Sequence, residues 1–127
     1  MLDVALLPGE YAVCRFAADS TLRPALWGEL GDAEVVSVSW AADGVSVICP
    51  AARAPADAET DWRCLRVVGP VGQAVTGSLA ALVGPLAQAR VEAVAFSTYD
   101  TDHVLVPAVR LAEATAALRR AGHRVLD

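Results

Sequence analysis

An apolar run that stops at a proline occurs twice in this chain. Val45 to Cys49 stops at Pro50, and His103 to Val106 stops at Pro107. Placing one proline on the other sets Asp43 on Asp100 and Ile48 on Leu105 without a gap. In each copy an earlier apolar run, Glu34 to Trp40 or Val91 to Ser97, enters the second run through a polar turn, which is the signature of a β-hairpin. Upstream, Cys14-Arg15-Phe16 matches Leu65-Arg66-Val67. A hairpin repeated together with its stop signal indicates two copies of one supersecondary unit.

The C-terminal copy is complete. Cys64 to Val68 is β-branched and weakly alternating, hence a strand. Gly69-Pro70-Val71-Gly72-Gln73 is loop punctuation. From Thr76 the period changes: Leu79, Leu82, Val83 and Leu86 share one helix face, with Thr76 as its cap and Gly84-Pro85 bending it late. After the hairpin, Leu111, Ala114, Leu118 and Ala121 mark a second helix with Gly122 at its C′ position, and Arg124-Val125-Leu126 is a last short strand. The order is βαββαβ, an α+β, ferredoxin-like unit. The N-terminal copy offers a strand from Glu10 to Ala17, a short helix near Leu22 to Leu30 after Ser20-Thr21, and the hairpin with Asp43-Gly44 as its turn. Only residues 51–61 then separate Pro50 from Trp62, too few for a second helix and a strand. The expected organisation is a shortened unit over 1–61 and a full one over 62–127, the first completed by the second or by a partner chain. An uncovered sheet edge invites such pairing.

Composition narrows the function. Hydrophobic residues make up 55% with mean hydropathy +0.43, so the chain is globular rather than disordered. No window of transmembrane length is free of charges or of Pro and Gly. The N-terminus has no basic region of a signal peptide, so a cytoplasmic location is the expectation. Cys14, Cys49 and Cys64 have no C-x-x-C spacing and sit among Val, Ile, Arg and Leu, so they read as small buried hydrophobes. The net charge of −5, with ten basic residues scattered among fifteen acids, supplies no stripe for nucleic acid.

Catalytic constellations are missing from the pattern. His103 and His123 are the two histidines, without Ser-His-Asp or H-x-x-x-H spacing. Asp100, Asp102 and Glu113 lack companions for a divalent cation. Gly69-Pro70-Val71-Gly72 lacks the Gly-Lys-Ser/Thr ending of a phosphate loop. The reading is a binding module, not an enzyme, with no cofactor. Trp27, Trp40 and Trp62 read as core or interface anchors.

Trp62-Arg63-Cys64-Leu65, Gly69-Pro70, Thr76-Gly77 and Pro85-Leu86-Ala87 resemble the ACT domain family, of the ACT_7 type. So above all does the run from Ser97 to Val106, Ser-Thr-Tyr-Asp-Thr-Asp-His-Val-Leu-Val. The same pattern occurs in small bacterial tandem-ACT proteins, in aspartate kinase regulatory regions and in animal arginine sensors. The resemblance implies two ACT-like units in tandem, regulation by an amino acid or similar small metabolite bound between units, a homodimer, and a possible target protein, with no catalysis by the module itself.

In that context the loops 71–78 and 98–102 lie at one end of the sheet. Unpaired backbone N–H groups around Val71, Gly72, Thr76 and Gly77 suit a ligand carboxylate. Thr98, Tyr99, Asp100 and Asp102 suit an ammonium or cationic side chain, and Asp102 is the position at which the resemblance implies ligand contact. The same aspartates also read as turn residues bonding their own backbone, and as such would contribute little to stability. The alternative function is an ACT-like adaptor that pairs with protein and binds no metabolite.

Overall fold

The computed structural model describes residues 1–22, 24–69 and 77–126. The chain divides into two compact units, one made of Met1–Leu7 with Arg63–Asp127 and the other of Pro8–Trp62.

The C-terminal unit contains β5 (Glu59–Gly69) from Arg63 onward, α2 (Ser78–Gln88), β6 (Val94–Ser97), β7 (Asp102–Pro107), α3 (Leu111–Arg120) and β8 (Arg124–Leu126). This is the expected βαββαβ order. One strand was not foreseen: β1 (Asp3–Leu6) pairs antiparallel with β5 and parallel with β8. Residues 1–7, assigned by the sequence reading to the first unit, therefore belong to this one. The sheet order is β6-β7-β5-β1-β8. Leu2-Asp3-Val4-Ala5-Leu6 carries no periodicity long enough to announce a strand, and its place is fixed by partners at the far end of the chain.

Both helices cover one face. Leu82 and Leu86 of α2 and Ala114 and Leu118 of α3 bury against Val4, Leu65, Val67, Val104, Val106 and Val125. Leu79, expected on that face, is exposed in the first turn of α2. Pro85 lies inside α2 without ending it. The two helices stop by the same device. At α3, Gly122 (φ 95) donates to Arg119 O and His123 N to Leu118 O. At α2, Arg90 (φ 59) donates to Ala87 O and Val91 N to Leu86 O. Both are Schellman endings, the second with a non-glycine residue at the left-handed position.

The N-terminal unit contains β2 (Tyr11–Phe16), α1 (Pro24–Trp27), β3 (Ser37–Ala41) and β4 (Gly44–Pro50), and it uses the first residues of β5. Its order is β3-β4-β2-β5, with Tyr11 opposite Trp62 and Val13 opposite Glu59. The fourth strand that the sequence reading left to a second unit or a partner is thus the start of β5, which passes from one unit into the other. The expected helix over 22–30 contracts to Pro24–Trp27, bounded by a proline and by Gly28. The repeat holds in detail where it was drawn. Pro50 (φ −54, ψ 138) and Pro107 (φ −57, ψ 135) each open a single 3₁₀ turn, at Ala51–Arg53 and Ala108–Arg110. After Arg110 the chain continues into α3, but after Arg53 it meets Pro55 and returns to the sheet as β5. Ala12, Cys14, Leu22, Leu26, Val45, Val47 and Cys49 form this unit's own core.

Cys14, Cys49 and Cys64 are buried free thiols. Burial pushes Cys49 and Cys64 up to about 12 and raises Cys14. Trp62 is buried, whereas Trp27 and Trp40 are exposed. Among the described residues no helix is long and apolar enough to cross a membrane.

Candidate functional site

The start of α2 and the β6–β7 turn meet at Asp102. Ser97 and Asp102 face one another as the last pair of the hairpin. Asp102 Oδ1 accepts from Ser97 Oγ at 2.6 Å, and Oδ2 accepts from Ser78 Oγ at 2.8 Å. Ser78 is the first residue of α2, so a half-buried carboxylate stands at that helix's N-terminus, where the helix dipole favours negative charge. Gly77, at φ 82, is the N-cap and supplies no side chain, so the cap position itself offers no acceptor to the first-turn N–H groups.

The turn itself is closed by threonines. Thr98 N donates to Thr101 O at 2.9 Å, Thr101 N donates to Thr98 Oγ1 at 3.3 Å, and Thr101 Oγ1 donates to Val67 O of β5. Thr98 is thereby used within the turn. Tyr99, 91% exposed, and Asp100 project into solvent at its tip. Of the expected site residues the structure brings Gly77 and Asp102 to one place, with Thr98 in the adjoining turn. Val71, Gly72 and Thr76 lie outside the described residues. The helix begins at Ser78 with Gly77 as its cap position, one residue later than a Thr76 cap would set it.

Sequence reasoning did not assign the hydroxyls of Ser78 and Ser97 as partners of Asp102. The Ser-x-x-x-x-Asp spacing around the turn is a local signal for the second of these; the first is tertiary. Next to Asp102, and pointing to the sheet face opposite the helices by strand alternation, His103 is fully buried. Arg66 Nε donates to its Nε2 at 3.1 Å, and Phe96 stacks on the ring at 4.8 Å with planes 12° apart. Accepting at Nε2 leaves the proton on Nδ1, which has no partner among the described residues. Burial first, and then the Arg66 charge, lower His103 to about 4, against a smaller opposing effect of Asp102. The ring is neutral at ordinary pH.

Among the described residues no three His, Cys, Asp or Glu side chains gather to hold a metal ion. A concavity of about 530 Å³ lies within the N-terminal unit near Arg53.

Residues 57–120 match the family model described as the ACT domain. The chain belongs to the ACT domain family. The match starts two residues before β5 and ends with α3, so it spans the ACT elements that carry Asp102. An ACT-like architecture also extends over the whole chain. Protein Atu0741 from Agrobacterium tumefaciens is 28% identical, with a TM-score of 0.87 over 98% of this chain and 92% of that one. VC0802 from Vibrio cholerae, a protein of unknown function described as a possible transport protein, is 21% identical, with a TM-score of 0.71 over 94% and 89% of the two chains. The regulatory subunit of aspartate kinase from Thermus thermophilus shares the fold at 16% identity, with a TM-score of 0.58 over 94% and 97%. No curated protein matches the sequence. The ACT resemblance expected from the Ser97–Val106 run is therefore borne out.

Proposed function

We propose that this chain is a non-catalytic regulatory module that binds an amino-acid-like metabolite where α2 begins. The observation that carries the reading is Asp102, a carboxylate anchored by Ser78 and Ser97 beside the first turn of an eleven-residue helix whose N-cap is Gly77. An α-amino acid presents an ammionium and a carboxylate a few bonds apart. Asp102 answers the first and the helix N–H groups answer the second. Val71, Gly72 and Thr76 complete the carboxylate side in this reading, and Tyr99 and Asp100 border the ammonium side. Membership of the ACT family and the fold shared with an aspartate kinase regulatory subunit support a regulatory role. Thermal-shift screening against the proteinogenic amino acids tests it: a ligand present at many times its Kd raises the melting temperature. A screen in which none of them shifts melting counts against the reading.

The second reading, an adaptor that binds no metabolite, is favoured by one fact. The two serine hydroxyls already hold Asp102, so the latch is complete as it stands. Either reading accommodates a homodimer in the cytoplasm. Strand β3 pairs only with β4 among the described strands, and its Trp40 is 65% exposed. An exposed edge of this kind supports pairing with a second copy, and sedimentation equilibrium at micromolar concentration would reveal a monomer if it does not.

A further inference from the structure

The N-terminal unit has a hairpin that ends as its counterpart does, yet no helix follows. Pro50 opens the same 3₁₀ turn as Pro107, and residues 54–58 then lead straight into β5. Among the described residues the core of β2 and β4 is packed by Leu22, by Leu26 of α1, by Val36 and by Ala54 and Ala58, where the other unit has the ten-residue α3. A cavity of about 530 Å³ remains, within the size range of small-molecule sites. Phe16, Leu22 and Leu26 give it an apolar wall, while Arg53, Ser20 and Thr21 supply its polar groups.

Arg53 is the distinguishing feature. Its Nη2 donates to Glu29 O at 2.6 Å and to Glu34 Oε1 at 3.1 Å. These contacts fix the guanidinium in place, and its Nε and Nη1 donors have no hydrogen-bond partner among the described residues. The Ser20 and Thr21 hydroxyls are equally uncommitted among them. Among the described residues no acidic side chain lines the cavity, Glu34 meeting Arg53 from outside that lining. A pre-oriented cation, two hydroxyls and an apolar wall without an acid suit a monocarboxylate with an apolar body. They suit the ammonium of an amino acid less well, because the nearby Glu34 carboxylate is already paired with Arg53 and does not line the cavity.

We propose that this cavity is a second ligand site, specific for small carboxylic acids with an aryl or alkyl body, and that its occupant fills the space left by the missing helix. The site lies wholly in the N-terminal unit and is independent of Asp102.

The test is calorimetric and NMR titration of the full chain with phenylacetate and octanoate, using phenylacetamide as the uncharged control. The expected result is saturable one-to-one binding of at least one acid, with shifts in the Leu22 and Leu26 methyl resonances. The amide and the Arg53→Gln variant should each bind at least about tenfold more weakly, the loss expected for a charge-assisted hydrogen bond. Because Arg53→Gln also loses the Glu34 ion pair, Thr21→Trp serves as a second variant: it blocks an exposed rim position, leaves the core intact, and should abolish binding. No saturation by either acid at low-millimolar concentration overturns the proposal. So does equal binding of acid and amide, or binding undisturbed by Thr21→Trp.

Discussion

His123 Nε2 lies 2.9 Å from Ala81 O, the carbonyl to which Pro85 has no N–H to donate. An α-helix bonds each N–H to the carbonyl four residues earlier, so a proline at 85 leaves the carbonyl at 81 open. His123 fills that vacancy from outside the helix. Its Nδ1 accepts from Leu2 N at 3.0 Å, which places the proton on Nε2. One neutral imidazole thus joins the entry of β1, the end of α3 and the middle of α2. Replacing His123 by Ala should lower stability by about 2–4 kcal/mol, since two backbone groups lose their partners. Chemical denaturation measures this. In a Pro85→Ala background, where residue 85 regains its donor, the same substitution should cost about 1 kcal/mol less.

The other histidine, His103, should show in the pH dependence of folding. His103 is held at about 4 in the folded chain, against 6.5 when exposed. Between these values the unfolded chain binds a proton that the native one refuses. The stability is therefore whole above pH 6.5 and falls as the pH drops toward 4, by about 3 kcal/mol across the window. NMR of the His103 ring should report titration near the lower value. A midpoint near 6.5 would show that the ring is not confined as described.

Asp102 accepts two hydroxyl hydrogen bonds and is half-buried, so it is more than a turn residue. Asp102→Asn retains one acceptor oxygen and presents an amide to the other serine. We expect a loss of about 1–2 kcal/mol in stability. Binding of any amino acid identified by screening should weaken beyond the change in folded fraction. Comparing denaturation with calorimetric titration separates the two effects.

Arg90 occupies the left-handed position that ends α2, which Gly122 occupies at the end of α3. Only its backbone takes part in the helix ending. Arg90→Gly should therefore stabilise the protein by about 0.5–1 kcal/mol, the penalty of a side chain in that conformation less the entropy of glycine. A higher melting temperature is the expected readout.

The thiols should be silent while the chain is folded. Burial raises Cys14 and drives Cys49 and Cys64 up to about 12, leaving almost no thiolate at neutral pH. A disulfide reagent at mildly alkaline pH should react slowly with native protein and with all three cysteines once urea unfolds it.

Whatever depends on neighbours along the chain can be read from residue order alone. The 3.6-residue spacing of Leu82 and Leu86, the prolines that stop β4 and β7, and Gly122 at a helix end each act within a few residues. Hence βαββαβ and the shortened first copy are legible in the residue order. The tertiary structure decided what depends on partners far apart in sequence. Asp3–Leu6 is too short to declare itself, and becomes a strand because β5 and β8 offer it partners on both sides. The first residues of β5 close the N-terminal sheet because Tyr11 and Trp62 come to lie opposite each other. Asp102 read as a turn residue or a ligand contact with equal justice, and neither reading carried its bond to Ser78 across 24 positions of chain. Hydrogen-bond and hydrophobic partners of this kind are selected by folding into a common sheet, and no local pattern carries their addresses.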